Sequence, residues 1–231
     1  MRGRELRPET PSIAGIDESS KAGVEEHSHL LSYCLEFASK MAPGDIVLIG
    51  GLSRSGKSTF ANNLRLAVLE RGCRAWVLSL DRWLKDFNCR LPGVLGRYDL
   101  TIMQEVIARH STGVKGSQNL LLPEYHKLQR RTFITGESIL IQSTDILIIE
   151  GTVALTLAPK IGHIHRVFVE IDEVVRRQRV IDEYLSRGKN FAEAEGIYNA
   201  REVDETPEVI RSMFSATRIN ISLSCISSRI Y

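Results

Sequence analysis

Apolar positions along the chain follow two rhythms. Four short segments are apolar almost without interruption: Ile46-Val-Leu-Ile49, Arg74-Ala-Trp-Val-Leu-Ser-Leu80, Thr144-Asp-Ile-Leu-Ile-Ile-Glu150-Gly151 and His165-Arg-Val-Phe-Val-Glu-Ile171. Such runs predict strands buried on both faces. Between them, apolar residues recur at helical spacing. Residues 27–42 place Leu30, Leu31, Cys34, Leu35, Ala38 and Met41 on one stripe, and Pro43-Gly44-Asp45 stops the helix. From Thr59 to Arg71 the stripe is Phe60, Leu64, Ala67 and Val68, closed by Gly72. Residues 100–109 are helical. Val174 to Ser186 is a strongly charged helix that ends at Arg187-Gly188-Lys189. Residues 192–216 are mostly helical, with a break at Pro207, and Arg218 to Ser224 alternates like an edge strand. The remainder reads as connection: a mobile tail over residues 1–25, a loop over 85–98, and a Gly-rich link from Ser111 to Glu124.

Strands separated by helix-length segments imply parallel pairing through right-handed crossovers, hence an α/β fold. Ligands in such sheets bind at the carboxyl ends of the strands. Gly51, Asp81 and Glu150 all fall at those ends, so residues far apart in sequence become neighbours in space.

Composition adds exclusions. The chain has 231 residues, 43% of them hydrophobic, enough for one sizeable core. A net charge of +2 calls for no nucleic-acid surface, and no run approaches the ~20 apolar residues of a membrane span. The N-terminus is too polar for a secretory signal and mixes arginines with acids, unlike a transit peptide. The four cysteines (Cys34, Cys73, Cys89, Cys225) are scattered without a C-x-x-C pair, as reduced thiols of a cytoplasmic protein would be. The sequence leaves homo-oligomerisation open.

The candidate chemistry starts at Gly51-Leu-Ser-Arg-Ser-Gly-Lys57-Ser58-Thr59, between a strand and a helix. Glycines at 51 and 56 let the backbone curl so that successive N–H groups, through Ser53, Arg54, Ser55 and Thr59, face a phosphate chain. The helix adds its positive end. Lys57 reaches the terminal phosphates, and the Ser58 hydroxyl can ligate Mg²⁺. The pattern and its strand–helix context predict a site for ATP or a related triphosphate. Glu150 supplies a carboxylate for the metal, which needs only one or two besides the phosphates. Asp81 is placed to orient a hydroxyl and take its proton. Arg176 and Arg179, three apart on a helix, can form part of a lid that neutralises transferring phosphate charge. His163 and His165 are expected to be structural, His27 and His29 have no assigned role, and Trp76 is expected in the core.

With these residues in place, the stretch from about Asp45 to Ile221 resembles the uridine kinase and phosphoribulokinase branch of P-loop kinases. The landmarks run in order: the phosphate loop, Ser79-Leu-Asp81, Arg97-Tyr98-Asp99, Pro123-Glu-Tyr125 and Ile148-Ile-Glu150-Gly151, then the Arg-rich helix and Arg187-Gly188. The resemblance implies a three-layer P-loop NTPase fold, with a mostly parallel sheet flanked by helices and a small helical lid at about 176–205. It implies Mg²⁺-dependent transfer of phosphate from ATP to a hydroxyl. Asp81 would be the base and Glu150 near the metal. Tyr98, Asp99, Tyr125, His126 and Arg130 would line the acceptor pocket. Arg176 and Arg179 would face acceptor or phosphates, and Arg187 and Lys189 would belong to the lid. Residues 26–44 form a helix outside the resemblance.

The chain departs from uridine kinases at three points. Leu84 stands where an aromatic residue is usual, His126 where an aspartate follows the tyrosine, and Arg130 or Arg131 where a histidine reads the base. Cations in place of neutral base-readers favour a more anionic, or at least a different, acceptor. Other readings stay open: a kinase of a sugar, sugar phosphate or other metabolite; a nucleotide-dependent switch; or an interaction protein with a relic ATP site. A GTPase is disfavoured, because Asn-Lys-x-Asp is absent and no Asp-x-x-Gly follows the loop.

Overall fold

The structure is a computed structural model that describes residues 30–112, 116–158 and 162–220. The expected tail at 1–25, His27, His29, Cys225 and the end of the 218–224 strand lie outside the described residues.

The elements follow the two rhythms closely. The first helix, α1, covers residues 30–39. Then come β1 (Ile46–Gly50), α2 (Lys57–Glu70), β2 (Ala75–Ser79), α3 (Thr101–Ser111), β3 (Ser117–His126) and β4 (Arg131–Gln142). The chain continues through β5 (Ile146–Glu150), β6 (Ile164–Glu170), α4 (Glu173–Ser186), α5 (Phe191–Asp204), α6 (Thr206–Met213) and β7 (Thr217–Asn220). Five strands form one sheet in the order β2-β5-β1-β6-β7, with every pairing parallel.

Every residue of β1 and β5 is buried, because the two central strands are covered on both faces. Side chains alternate between the faces. Ile46 and Leu48 join Leu147, Ile149 and Phe168 in a core closed by Met103, Val106 and Ile107 of α3 and Val209 of α6. Val47 and Ile49 join Ile148, Val167 and Val169 in a second core closed by α1 and α2. Leu30, Cys34 and Ala38 of α1 are buried, as is Met41 just beyond it; Leu35, expected on the same stripe, is exposed on its flank. Trp76 packs partly buried against the first core and donates its indole N–H to Asp145 at 2.9 Å. His165 bonds Asp45 at 2.9 Å, a structural role.

One expectation is overturned. The stretch read as a Gly-rich link contains β3, which pairs antiparallel with β4 in a separate hairpin running from Ser117–Gln142 to His126–Arg131. Leu120, Leu122 and Ile141 are its buried side, whereas Leu121 and Leu140 between apolar neighbours are exposed. Burial alternates along the strands although residue type does not, so no period-2 pattern was there to read. Pro207 begins α6 rather than merely interrupting a helix, which suits its fixed φ and missing N–H.

Candidate active site

The loop between β1 and α2 curls as its glycines allow. Gly51 has φ 146°, and a Cβ there would stand 2.5 Å from the Val169 carbonyl oxygen. Gly56 has φ 98° directly before α2, and Arg54 has φ 65°. The hydroxyls of Ser53 and Ser55 are buried without a hydrogen-bond partner. Lys57 is the first residue of α2 and is buried; its Nζ donates to the Leu52 carbonyl at 2.7 Å. Burial pulls the Lys57 pKa below its ordinary value, and the charges of Glu150, Glu205 and Asp81 oppose that pull. A buried ammonium resting on its own loop, beside orphaned hydroxyls and curled N–H groups, is a donor set that suits a chain of phosphates.

Glu150 ends β5, in register with Ile49 of β1 and Ser79 of β2. It is buried, and the Ser58 hydroxyl donates to its Oε1 at 3.1 Å. Burial pushes its pKa up; Lys57 and hydrogen bonds from Ser79 and Ser58 work against that. The described residues hold no group of three or more His, Cys, Asp or Glu that could grip a metal alone. One carboxylate and one hydroxyl fit Mg²⁺, which keeps several waters and takes its other ligands from phosphate.

Asp81 lies in a single 3₁₀ turn, Leu80–Trp83, just past β2, and is exposed. Its charge is felt at Lys57, Arg54, Glu150 and the Tyr98 phenol. Of the strand-end residues, Ser58 and Glu150 are in direct contact. Tyr98 is buried, its hydroxyl hydrogen-bonds Thr152, and burial raises its pKa well above the ordinary phenol value. Asp99 accepts the Thr101 N–H at 3.3 Å, holding the start of α3.

The other pocket candidates sit on the hairpin. Tyr125 accepts a hydrogen bond from Arg90 at 2.6 Å. His126 Nδ1 accepts the Gln129 N–H at 3.2 Å across the turn. Arg130, at φ 54°, lies 3.4 Å over the Phe87 ring. Arg131 pairs with Asp86 at 3.6 Å. These contacts dock the hairpin tip on residues 84–90, directly after the turn that carries Asp81; Thr132 completes the dock through Asp86 and the Leu84 carbonyl.

The arginine helix divides. Arg176 is held by carboxylates of its own helix and of α5. It is buried, bonds Glu173 at 2.7 Å, pairs with Glu202 and packs over Tyr198, so it clamps α4 to α5. Arg179 is half-buried, and burial lowers its pKa. Arg187 pairs with Glu183, lies over Tyr184, and its charge reaches Arg54 of the loop. Lys189 pairs with Glu193 at 2.9 Å on the exposed start of α5.

Sequence reasoning missed Glu205, at the corner between α5 and α6. It is 3% exposed and accepts the Ser53 N–H at 3.0 Å. Nothing in the local sequence marks it: it reads as one more acid before Thr206-Pro207. Arg97, quoted only as part of a triplet, pairs with Asp204 and approaches Glu205 at 3.7 Å. Arg201, also missed, bonds the Tyr184 hydroxyl at 2.9 Å and its charge reaches both Arg54 and Lys57.

No family model matches the chain, and no curated protein matches it in sequence. Solved structures match it in fold. A candidate fructose transport system kinase from a Silicibacter species superposes with a TM-score of 0.56 at 18% identity, over 82% of this chain and 96% of that one. D-glycerate 3-kinase from Cryptococcus neoformans gives 0.57 at 13% identity, over 88% and 97%. A possible uridine kinase from Bacillus stearothermophilus gives 0.50 at 22% identity, over 79% and 96%. The chain has the P-loop kinase fold of the uridine kinase and phosphoribulokinase type.

Proposed function

We propose that this protein is a small-molecule kinase that transfers the γ-phosphate of Mg-ATP to a hydroxyl group. The observation that carries the reading is the position of Asp81. An exposed carboxylate at the end of the strand beside β5 stands within electrostatic reach of Lys57 and Glu150. A carboxylate there can hold an acceptor hydroxyl in line with the terminal phosphate and take its proton as transfer proceeds. Plain hydrolysis needs no acceptor, and the hairpin docked on residues 84–90, beside the turn that carries Asp81, supports transfer to one.

The division of labour follows from the geometry. The loop N–H groups and Lys57 bind the phosphates, with Lys57 as the mobile charge on the terminal ones. Ser58 and Glu150 would hold Mg²⁺, which when bound would supply neutralising charge for the phosphates. Arg54 and Arg187 both pair with Glu183, so that one carboxylate ties the phosphate loop to the end of α4. Arg179 is the remaining lid candidate. Tyr98, Asp99 and Tyr125 are assigned to the acceptor side, with His126 and Arg130 at its rim.

The acceptor class stays broad: nucleosides, sugars, sugar phosphates and hydroxy acids. The cations about Tyr125 favour the anionic members. Arg90 and Arg130 each contact an aromatic ring, and neither has a carboxylate among its hydrogen bonds in the described residues. The test is ADP release from Mg-ATP across a panel of those four classes. Acceptor-dependent turnover with at least one is expected. ATP hydrolysis that no acceptor accelerates, and that a protein partner alters, would replace the kinase reading with a nucleotide-dependent switch.

A further inference from the structure

The corner between α5 and α6 sets a carboxylate against the phosphate loop. Glu205 is 3% exposed, and its Oε1 takes the Ser53 N–H at 3.0 Å. Its charge acts on the Lys57 ammonium and on the Tyr98 phenol. Arg97 stands 3.7 Å away, but that guanidinium is shared with Asp204. A phosphate site is normally assembled from N–H groups and cations, so a buried acid bound to one of its N–H groups opposes the ligand. A mere tie between α6 and the loop would need only a neutral acceptor, which a glutamine provides equally well.

The geometry points to Glu205 as a specificity-determining residue of the nucleotide site, one that weakens a nucleoside triphosphate relative to the diphosphate. This rests on the nucleotide-site reading of the preceding subsection. Lysine in such loops reaches the outer phosphates. Glu205 shares that region, because it acts on Lys57 and holds Ser53 in the half of the loop away from α2. Coulomb repulsion falls with distance, so a third phosphate feels the carboxylate more than the first two do. The repulsion is relieved when the terminal phosphoryl group leaves for an acceptor. Binding free energy withheld from the bound triphosphate in this way lowers no affinity for the products. Arg97 limits the effect by partly compensating the charge.

The test is calorimetric titration of ATP and ADP, each with Mg²⁺, into the full chain and into Glu205→Gln. Glutamine keeps an acceptor for the Ser53 N–H and removes the charge. The ratio of ATP to ADP affinity is expected to rise about tenfold. An unchanged or lower ratio overturns the proposal, including an equal loss of both affinities, which a purely structural tie would give. If Glu205→Gln does not fold, Arg97→Met provides the opposite sign. It leaves Glu205 less compensated, so the ratio falls; an unchanged or higher ratio overturns the proposal. Wild-type protein that binds neither nucleotide would overturn it together with the nucleotide reading. No acceptor enters this experiment, so a fruitless acceptor search leaves its result standing. An unchanged ratio, in turn, leaves the kinase reading intact.

Discussion

Around the phosphate loop, polar groups are buried and turned inward; around the acceptor segment, they lie at the surface and hold one another. Lys57, Glu150 and Glu205 are each less than a tenth exposed, whereas Asp81, Asp99, His126 and Arg130 are all exposed. The first region hangs from the centre of the sheet, where β1 and β5 are fully buried and in register. The second hangs from a 3₁₀ turn and a hairpin outside that sheet, whose apolar sides join the core while their polar tips are fixed by cation–ring contacts and a few hydrogen bonds. A phosphate chain is the same ligand whatever the acceptor, and a rigid frame suits it. An acceptor pocket assembled from loops can change its residues without disturbing the core.

The largest effect should come from the rigid side. Gly51→Ala puts a methyl group 2.5 Å from the Val169 carbonyl at φ 146°, so the loop must move or carry strain. If the free loop moves to relieve the clash, regaining the binding shape costs about 3 kcal/mol, so Mg-ATP affinity is expected to fall roughly a hundredfold with the melting temperature little changed. A variant that binds ATP normally would show that the loop is not held as tightly as the contrast requires.

Arg176 sharpens the contrast from another direction, because it belongs to neither half. Arg176→Met should destabilise the fold by about 2 kcal/mol in urea unfolding. That is below the 3–5 kcal/mol typical of a fully buried broken pair, since Glu173 and Glu202 keep much solvent contact. Turnover of the folded variant should stay near wild type. A turnover loss of orders of magnitude without destabilisation would return Arg176 to the transfer chemistry.

The smallest effect should come from the acceptor wall. Tyr125→Phe removes the hydroxyl that Arg90 bonds at 2.6 Å. One such bond is worth about 1 kcal/mol, so the acceptor KM should rise several-fold while ATP affinity holds. Equal changes in both would mean that the two regions are not separable.

This contrast also governs what the sequence could disclose. Buried parallel strands leave continuous apolar runs, and the loop's backbone geometry demands glycines at fixed spacing, so both are readable from residue types. Gly188, at φ 81° after α4, marks its helix end in the same way. The hairpin was illegible because Leu120-Leu121-Leu122 is a short apolar run without alternation, set among turn formers. Arg176 and Arg179 looked equivalent on a helical wheel. Only the packing of α5 decides that one of them is enclosed by Glu173, Glu202 and Tyr198. Glu205 owes its place to the meeting of α6 and the loop, 152 residues apart from Ser53 in the chain, and no local pattern encodes that.

The account stands most directly on Asp81, where the two regions meet. The decisive measurement is acceptor-dependent ADP release by wild type and Asp81→Asn, made alongside the Mg-ATP affinity of each. Loss of the base should cut turnover by about 10²–10⁴-fold and leave ATP affinity within a small factor. Turnover that survives the substitution, or turnover and ATP affinity that fall together, would contradict the assignment of Asp81 as the group that hands phosphate to a hydroxyl.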